Sequence, residues 1–166
     1  GVLQRLRGTP LGPGMYLVGR TASALWIALL TGALVLSVGL IFFDLEVAGF
    51  GVPLAVAVML LGTGTSAACG FALAAVLPSS KAISAAGLAI LLPLSFFSDV
   101  FVVGDIPAWM DTVGSVFPLK HFANSLASAL DPAGPSVNGV ALAVQAAWLA
   151  GAGVFAVRSF RWDRRN

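Results

Sequence analysis

Charged residues are scarce in this sequence. Only 10% of its 166 residues are Asp, Glu, Lys or Arg, whereas 58% are hydrophobic, and the mean hydropathy is +0.97. Soluble domains typically carry about 25% charged residues. The composition therefore excludes a soluble domain and predicts an integral membrane protein.

Side chains that carry out chemistry are equally scarce. His121 is the only histidine and Cys69 the only cysteine, so no disulfide can form within the chain, and we interpret Cys69 as a packing residue. The sequence contains no Walker A motif, since the GTGTS stretch at 62–66 lacks the following lysine. It therefore predicts no catalytic, cofactor-binding or metal site. If ATP drives this protein, a separate chain binds it.

Four long stretches without charge predict membrane spans at 21–43, 54–77, 82–98 and 139–157. About 20 apolar residues in a helix cross a hydrocarbon core of about 30 Å. The predicted fold is therefore an all-α integral membrane protein, with residues 1–166 forming one transmembrane domain. No span has Asp, Glu, Lys, Arg or His near its centre, which argues against a carrier that uses an ion gradient.

The few charges are distributed asymmetrically between the two sides of this topology. Eight of the nine Lys and Arg residues fall on one side and six of the seven acids on the other. The basic set is Arg5, Arg7, Arg20, Lys81, Arg158, Arg161, Arg164 and Arg165; the acidic set is Asp44, Glu46, Asp99, Asp105, Asp111 and Asp131; Lys120 is the exception. Basic loops stay in the cytoplasm, so residues 1–20 and the tail 158–166 are predicted to be cytoplasmic. This pattern favours a cell-membrane protein and not a nucleic-acid partner.

The segment 99–135 stays apolar although it cannot span. Pro107 and Pro118 forbid one continuous helix, and the periodicity on either side of Pro118 predicts two short amphipathic helices. We expect them to be re-entrant or interfacial; an ordinary extracellular loop is the alternative. The predicted outer gate comprises Phe97, Phe101, Pro107, Trp109, Val113, Phe117, Pro118, Phe122 and Leu126. The polar side, expected to face water, comprises Asp111, Lys120, His121 and Asn124.

Small residues recur at four-residue spacing on three spans. In membranes, such stripes let helix backbones approach closely. The residues predicted to pack the spans together are Ala24, Ala28 and Gly32, then Gly62, Ser66 and Gly70, then Ala143, Ala147 and Gly151.

Three stretches, at 5–20, 93–110 and 117–132, carry a family resemblance. They read RLRGTPLGPGMYLVGR, PLSFFSDVFVVGDIPAWM and FPLKHFANSLASALDP. In these stretches the chain resembles the permease subunits of the ABC-2 transporter family, particularly the drug-resistance exporters of the daunorubicin type. The resemblance implies six spans, of which the four here would be the last four, with re-entrant helices before the last one. It also implies that residues 1–15 couple to the ATPase, through Leu3, Gln4, Arg5, Leu6, Arg7, Thr9 and Pro10.

The function that this resemblance implies is ATP-driven export. The chain would be the permease subunit that moves an amphiphilic drug, lipid or glycolipid outward, as in multidrug efflux and antibiotic resistance. Its expected partners are a separate ABC ATPase subunit, a second permease copy and membrane lipids. A secondary transporter fragment and a non-transporting membrane anchor or assembly subunit are the alternatives. Because the sequence opens at Gly1, we expect it to be the C-terminal part of a longer protein.

Overall fold

The computed structural model describes residues 13–98 and 107–159, and the regular elements in these ranges are helices. They are α1 (Pro13–Phe42), α2 (Gly51–Val76), α3 (Ser80–Phe97), α4 (Ala108–Gly114), α5 (Pro118–Ala129) and α6 (Gly139–Ser159). Four of them, α1, α2, α3 and α6, are long and apolar enough to cross a membrane. The predicted all-α class with four membrane-spanning helices is therefore confirmed.

The helices extend past the uncharged stretches that predicted them. Helix α1 begins at Pro13, so it starts eight residues before the span predicted at 21–43. Proline is favoured at the first helical position because the N–H that it lacks would have no partner there. Pro53 lies in the first turn of α2 for the same reason. Helix α3 is capped by Ser79, whose Oγ accepts a hydrogen bond from the Ala82 N–H at 3.2 Å.

Helix α2 is the centre of the bundle. It packs against α1, α3, α5 and α6, and its buried residues repeat every three or four positions: Gly51, Ala55, Val58, Gly62, Thr65 and Ala68. Helix α6 buries Ala141, Gln145 and Ala156. The two helices run parallel, because Gly51 lies close to Pro135, just before α6, and Thr65 further along α2 meets Gln145 of α6. The core is thus a strip of mostly small side chains along α2.

Helices α1 and α3 are peripheral. Within the most apolar 18-residue window of each, no residue is buried. Helix α1 meets α2 where the Met59 side chain lies directly against Gly32, so closely that a Cβ at Gly32 would overlap it. The large apolar side chains on the remaining surface of α1 and α3 face outward, as expected for helices whose surroundings are hydrocarbon.

The short helices α4 and α5, called here the short-helix layer, pack on the half of the bundle in which α2 and α6 begin. Helix α5 runs antiparallel to α2, with Phe122 against Gly62 and the Ala129 carbonyl oxygen close to Gly51. Helix α4 packs on α3, and α5 packs on α2, α3 and α6. The opposite end of the bundle, called here the basic end, carries Arg20, Lys81 and Arg158 at the ends of α1, α3 and α6. Every described Asp and Glu lies on the short-helix side of the spans.

Candidate functional site

The short-helix layer is joined to the bundle by an aromatic ring on a glycine. Phe122 of α5 lies directly against Gly62 of α2, and a Cβ at Gly62 would overlap three atoms of the ring. About three turns earlier in α2, at its start, Gly51 lies close to the Ala129 carbonyl oxygen, which would be only 2.6 Å from an added Cβ. Two glycines of α2 therefore let α5 lie directly on its backbone.

A second contact joins the layer to α6. The rings of Phe117 and Trp148 stack with centroids 6.0 Å apart at 28°, and the Trp148 Nε1–H donates a hydrogen bond of 2.9 Å to the Val116 carbonyl oxygen. This bond satisfies a carbonyl in the turn between α4 and α5. The indole thus fixes that turn against the last helix.

The third contact joins α4 to the end of α3. Gly114 lies against the Phe97 carbonyl oxygen, so closely that no larger residue fits, and Phe97 and Trp109 meet edge to face with centroids 6.0 Å apart at 67°. Such aromatic pairs contribute roughly 0.5–1.5 kcal/mol beyond the burial of their area. The layer is therefore held at three points, on α2, α3 and α6.

An ion pair ties the two short helices to each other. The Lys120 Nζ of α5 contacts the Asp111 Oδ1 of α4, and Lys120 is buried while Asp111 is exposed. In the same turn, the His121 Nε2–H donates to the Ser115 carbonyl oxygen at 2.7 Å. A lysine is almost never buried unless it is paired, so this pair defines the geometry of the turn around Pro118.

Burial in the layer differs from the predicted two-sided pattern at three positions. Lys120, predicted to face water, is buried at 6% exposure, whereas Trp109 and Val113 are 62% and 40% exposed. Lys120 is buried because α3 packs on α5 and Gly114 of α4 lies near the Lys120 side chain. Trp109 contacts the Phe97 ring but stays largely exposed. Asp111 and Asn124 are exposed, as predicted. Phe117, Pro118, Phe122 and Leu126 are half-buried, and Pro107 is exposed.

Two of the predicted small-residue stripes face away from the bundle at several positions. Gly32 and Gly62 lie at close contacts, and Ala24 and Ala28 are half-buried. In contrast, Ser66, Gly70, Ala143, Ala147 and Gly151 are exposed. These five are exposed among the described helices because α2 continues its buried strip through Thr65 and Ala68, and α6 turns Gln145 inward. That they pack spans together stays a prediction.

Polar side chains that the sequence analysis missed lie inside the α2–α6 interface. Gln145 is fully buried, and the Thr65 hydroxyl lies 2.8 Å from the Leu61 carbonyl oxygen and 3.2 Å from that of Gln145. Gln145 Nε2 donates weakly to the Ala141 carbonyl oxygen at 3.5 Å, while its Oε1 has no hydrogen-bond partner in the described ranges. Gln145 is the only Asn or Gln within the four predicted spans. Its isolation among apolar residues could have indicated a buried polar side chain.

The remaining site predictions lie outside the described residues. They are Phe101 of the outer gate and all seven ATPase-coupling residues, Leu3, Gln4, Arg5, Leu6, Arg7, Thr9 and Pro10. Among residues 13–98 and 107–159, no group of His, Cys, Asp and Glu side chains could hold a metal ion. The described part of the site is thus a set of packing contacts and one ion pair at the end of a membrane bundle.

Comparison with known proteins identifies the family. The family model described as ABC-2 type transporter matches residues 1–130, which run from before α1 to just past the end of α5. No curated protein and no solved structure matches the chain. The family match covers well over half of the sequence and includes the short-helix layer. The chain therefore belongs to the ABC-2 type transporter family, and it is a membrane-domain permease component of an ABC transporter.

Proposed function

We propose that this permease exports an amphiphilic drug, lipid or glycolipid, with the energy supplied by ATP hydrolysis on a separate ABC ATPase subunit. The observation that carries the proposal is the short-helix layer, which packs on α2, α3 and α6 beside the half of the bundle in which α2 and α6 begin. The permease family supports the ATPase partner. The absence of Asp, Glu, Lys, Arg and His from the middle of the described spans argues against coupling to an ion gradient.

The direction of transport follows from charge in this proposal. Arg20, Lys81 and Arg158 lie at the basic end, which we assign to the cytoplasm. The short-helix layer then lies on the outer side, where it closes the exit of the pathway. The described spans are apolar with scattered Ser and Thr, which suits an amphiphilic cargo, and drug efflux of the daunorubicin type is the activity that we test first.

The coupling segment provides the experiment. Arg5→Ala together with Arg7→Ala, in the full-length permease with its ATPase, removes two guanidinium groups that we expect to pair with acidic groups of the ATPase. Arg164→Ala together with Arg165→Ala removes the same charge from the tail and is the matched control. We expect the first pair to lower drug-stimulated ATP hydrolysis and efflux at normal expression, and the control pair to leave both unchanged. Normal coupling in both double variants would contradict the proposed role of the segment.

A further inference from the structure

The amide of Gln145 is buried in the α2–α6 interface without a full set of hydrogen bonds. Its Nε2 donates only a long bond of 3.5 Å to the Ala141 carbonyl oxygen of the same helix, and its Oε1 has no hydrogen-bond partner among the residues that the structure describes. Exchanging the two ends of the amide would not help, because the Ala141 carbonyl can only accept. Since no part of the side chain is exposed, a helix outside this bundle could contact it only after the helices around it had moved apart.

An amide buried in this way destabilises the conformation in which it lies. Removing a polar group from water without pairing it costs free energy, and surrounding hydrocarbon supplies no replacement partner. Methionine, which has a similar length and adapts to irregular spaces, would pack at position 145 without this cost. Polar side chains inside membrane helices commonly mark functional sites. The described conformation is therefore not the one in which the Gln145 amide is best satisfied.

The hydrogen-bond donor that Gln145 lacks lies at the same level of α2. The buried Thr65 hydroxyl is 2.8 Å from the Leu61 carbonyl oxygen and 3.2 Å from the backbone carbonyl oxygen of Gln145. A hydroxyl has one proton, which it shares between these two acceptors. Each carbonyl also accepts the N–H four residues further along its own helix. Thr65 can therefore turn its proton away from both carbonyls without leaving either one unpaired.

We infer that Thr65 and Gln145 form a two-position hydrogen-bond switch between α2 and α6. In the described conformation the Thr65 hydroxyl donates to backbone carbonyls. In a second conformation, reached by a small slide or rotation of α6 against α2, it donates to the Gln145 Oε1. Small movements between packed helices are a common form of conformational change, and ATP binding on the partner chain selects between the two positions by favouring one of them. The inference rests on the ATPase partner of the proposed function, but not on its cargo or its direction.

Two substitutions of similar shape remove the side-chain groups of the switch. Thr65→Val removes the hydroxyl and Gln145→Met removes the amide, while the backbone carbonyl of residue 145 stays in place. In the described conformation no hydrogen bond joins the two side chains, so the effects of the two substitutions should add. In the second conformation the side chains are bonded, so the effects should couple.

A control pair lies on the same two helices. Ser66 is exposed, and its hydroxyl donates to the Gly62 carbonyl oxygen of its own helix at 2.9 Å. Leu149 follows Gln145 by one turn and lies beside Gly64 of α2. Ser66→Ala and Leu149→Met therefore make the same kinds of change next to the switch without removing either of its groups.

The experiment is a double-mutant cycle on the full-length permease with its ATPase in detergent. The midpoint of thermal unfolding is measured without nucleotide and again with ATP and vanadate, which trap the ATPase in its nucleotide-bound state. Gln145→Met should raise the midpoint in one of these states and lower it in the other. Coupling between Thr65→Val and Gln145→Met should appear only in the state where Gln145→Met lowers the midpoint, and the control pair should show none in either state. Because Gln145→Met favours one position of the switch, ATP turnover should fall by about tenfold.

Three outcomes would overturn the switch. Equal coupling in the two states would mean that the side chains do not exchange partners. A lower midpoint for Gln145→Met in both states would show that the amide is already satisfied in the described packing, for example by a bound water. Unchanged ATP turnover in Gln145→Met would leave the amide without a role in the cycle. If Gln145→Met does not accumulate in the membrane, Gln145→Leu repeats the test.

The wild-type complex separates this inference from the proposed function. A wild-type midpoint that shifts with trapped nucleotide supports the ATPase partner, and each of the three outcomes then overturns the switch alone. A wild-type midpoint that does not respond to nucleotide would contradict the ATPase partner and the switch together.

Discussion

The Phe122 ring of α5 lies directly against Gly62 of α2. The ring occupies space that exists only because residue 62 has no Cβ. Close packing of this kind makes both residues sensitive to substitution, since protein interiors contain few voids in which a displaced ring can settle. The same helices provide control positions: Asn124 of α5 is exposed, and a Cβ added at Gly70 of α2 would meet nothing within 4 Å.

Phe122→Ala should therefore loosen the short-helix layer, while Asn124→Ala should change little. Removing a large packed side chain typically costs about 2–5 kcal/mol, and because Phe122 is half-buried, we expect a value of about 2 kcal/mol. Exposed polar changes usually stay within about 0.5 kcal/mol. Thermal unfolding in detergent and drug efflux from cells measure the two effects. Small and equal effects from both variants would mean that the layer behaves as an ordinary loop.

Adding one methyl group at glycine should give opposite results at two positions of α2. Gly62→Ala forces the Phe122 ring to move and should destabilise the protein by roughly 1–3 kcal/mol. Gly70→Ala meets nothing within 4 Å and should be neutral or stabilising by up to about 1 kcal/mol, because alanine has the higher helix propensity. Combining Gly62→Ala with Phe122→Ala should cost less than the sum of the two, which a double-mutant cycle measures. Strict additivity would show that the two residues do not contact each other.

At the scale of the elements, the ion pair between Asp111 and Lys120 fixes the short helices α4 and α5 to each other. The lysine is buried and the aspartate exposed. Because a buried charge needs its partner more than an exposed one does, the two single substitutions should not be equivalent.

Asp111→Asn should destabilise the layer more than Lys120→Met. The first variant leaves the Lys120 ammonium buried without its carboxylate, at an expected cost of about 1–3 kcal/mol. The second replaces the charge by an apolar side chain of similar length. Thermal unfolding at low and high salt provides the measurement, and a partly buried pair should respond only weakly to salt. A larger cost for Lys120→Met than for Asp111→Asn would show that the aliphatic stem, not the charge pair, holds the turn.

The sequence predicts some of these helices better than others, because uncharged length is a clearer pattern than amphipathic periodicity. Uncharged length predicts spans well, so all four membrane-length helices were found, and Pro118 correctly separates α4 from α5. Burial within the layer was harder, because the amphipathic pattern of α5 assumes one buried side, whereas α3 and α4 also cover the side that holds Lys120. The small residues at 66–70 and 143–151 are exposed among the described helices for a related reason: the sequence of a membrane helix does not show which of its faces a neighbouring helix will cover.

For the whole molecule, the decisive prediction concerns its orientation in the membrane. Two single-cysteine variants in a Cys69→Ala background test it. Ser159→Cys lies at the end of α6 on the basic side, and Ser136→Cys replaces an exposed serine three residues before α6 begins. An impermeant thiol reagent applied to intact cells should label Ser136→Cys and spare Ser159→Cys, because the basic end should face the cytoplasm. Labelling after permeabilisation controls for access. The opposite pattern would place the short-helix layer inside the cell.

The central place of α2 also has a consequence for how the protein is made. Some of the helices that pack against α2 precede it in the sequence and others follow it. Thr65 of α2 contacts α6, which is synthesised only after α3, α4 and α5. During synthesis α2 therefore enters the bilayer with its strip of glycines, Thr65 and small side chains still facing lipid or an insertion factor. Contacts between residues so distant in the chain form slowly because of the loop that must close. The packing of α2 can therefore be completed only after α6 has been synthesised. A ribosome that stalls before residue 139 releases a chain in which α2 lacks this partner.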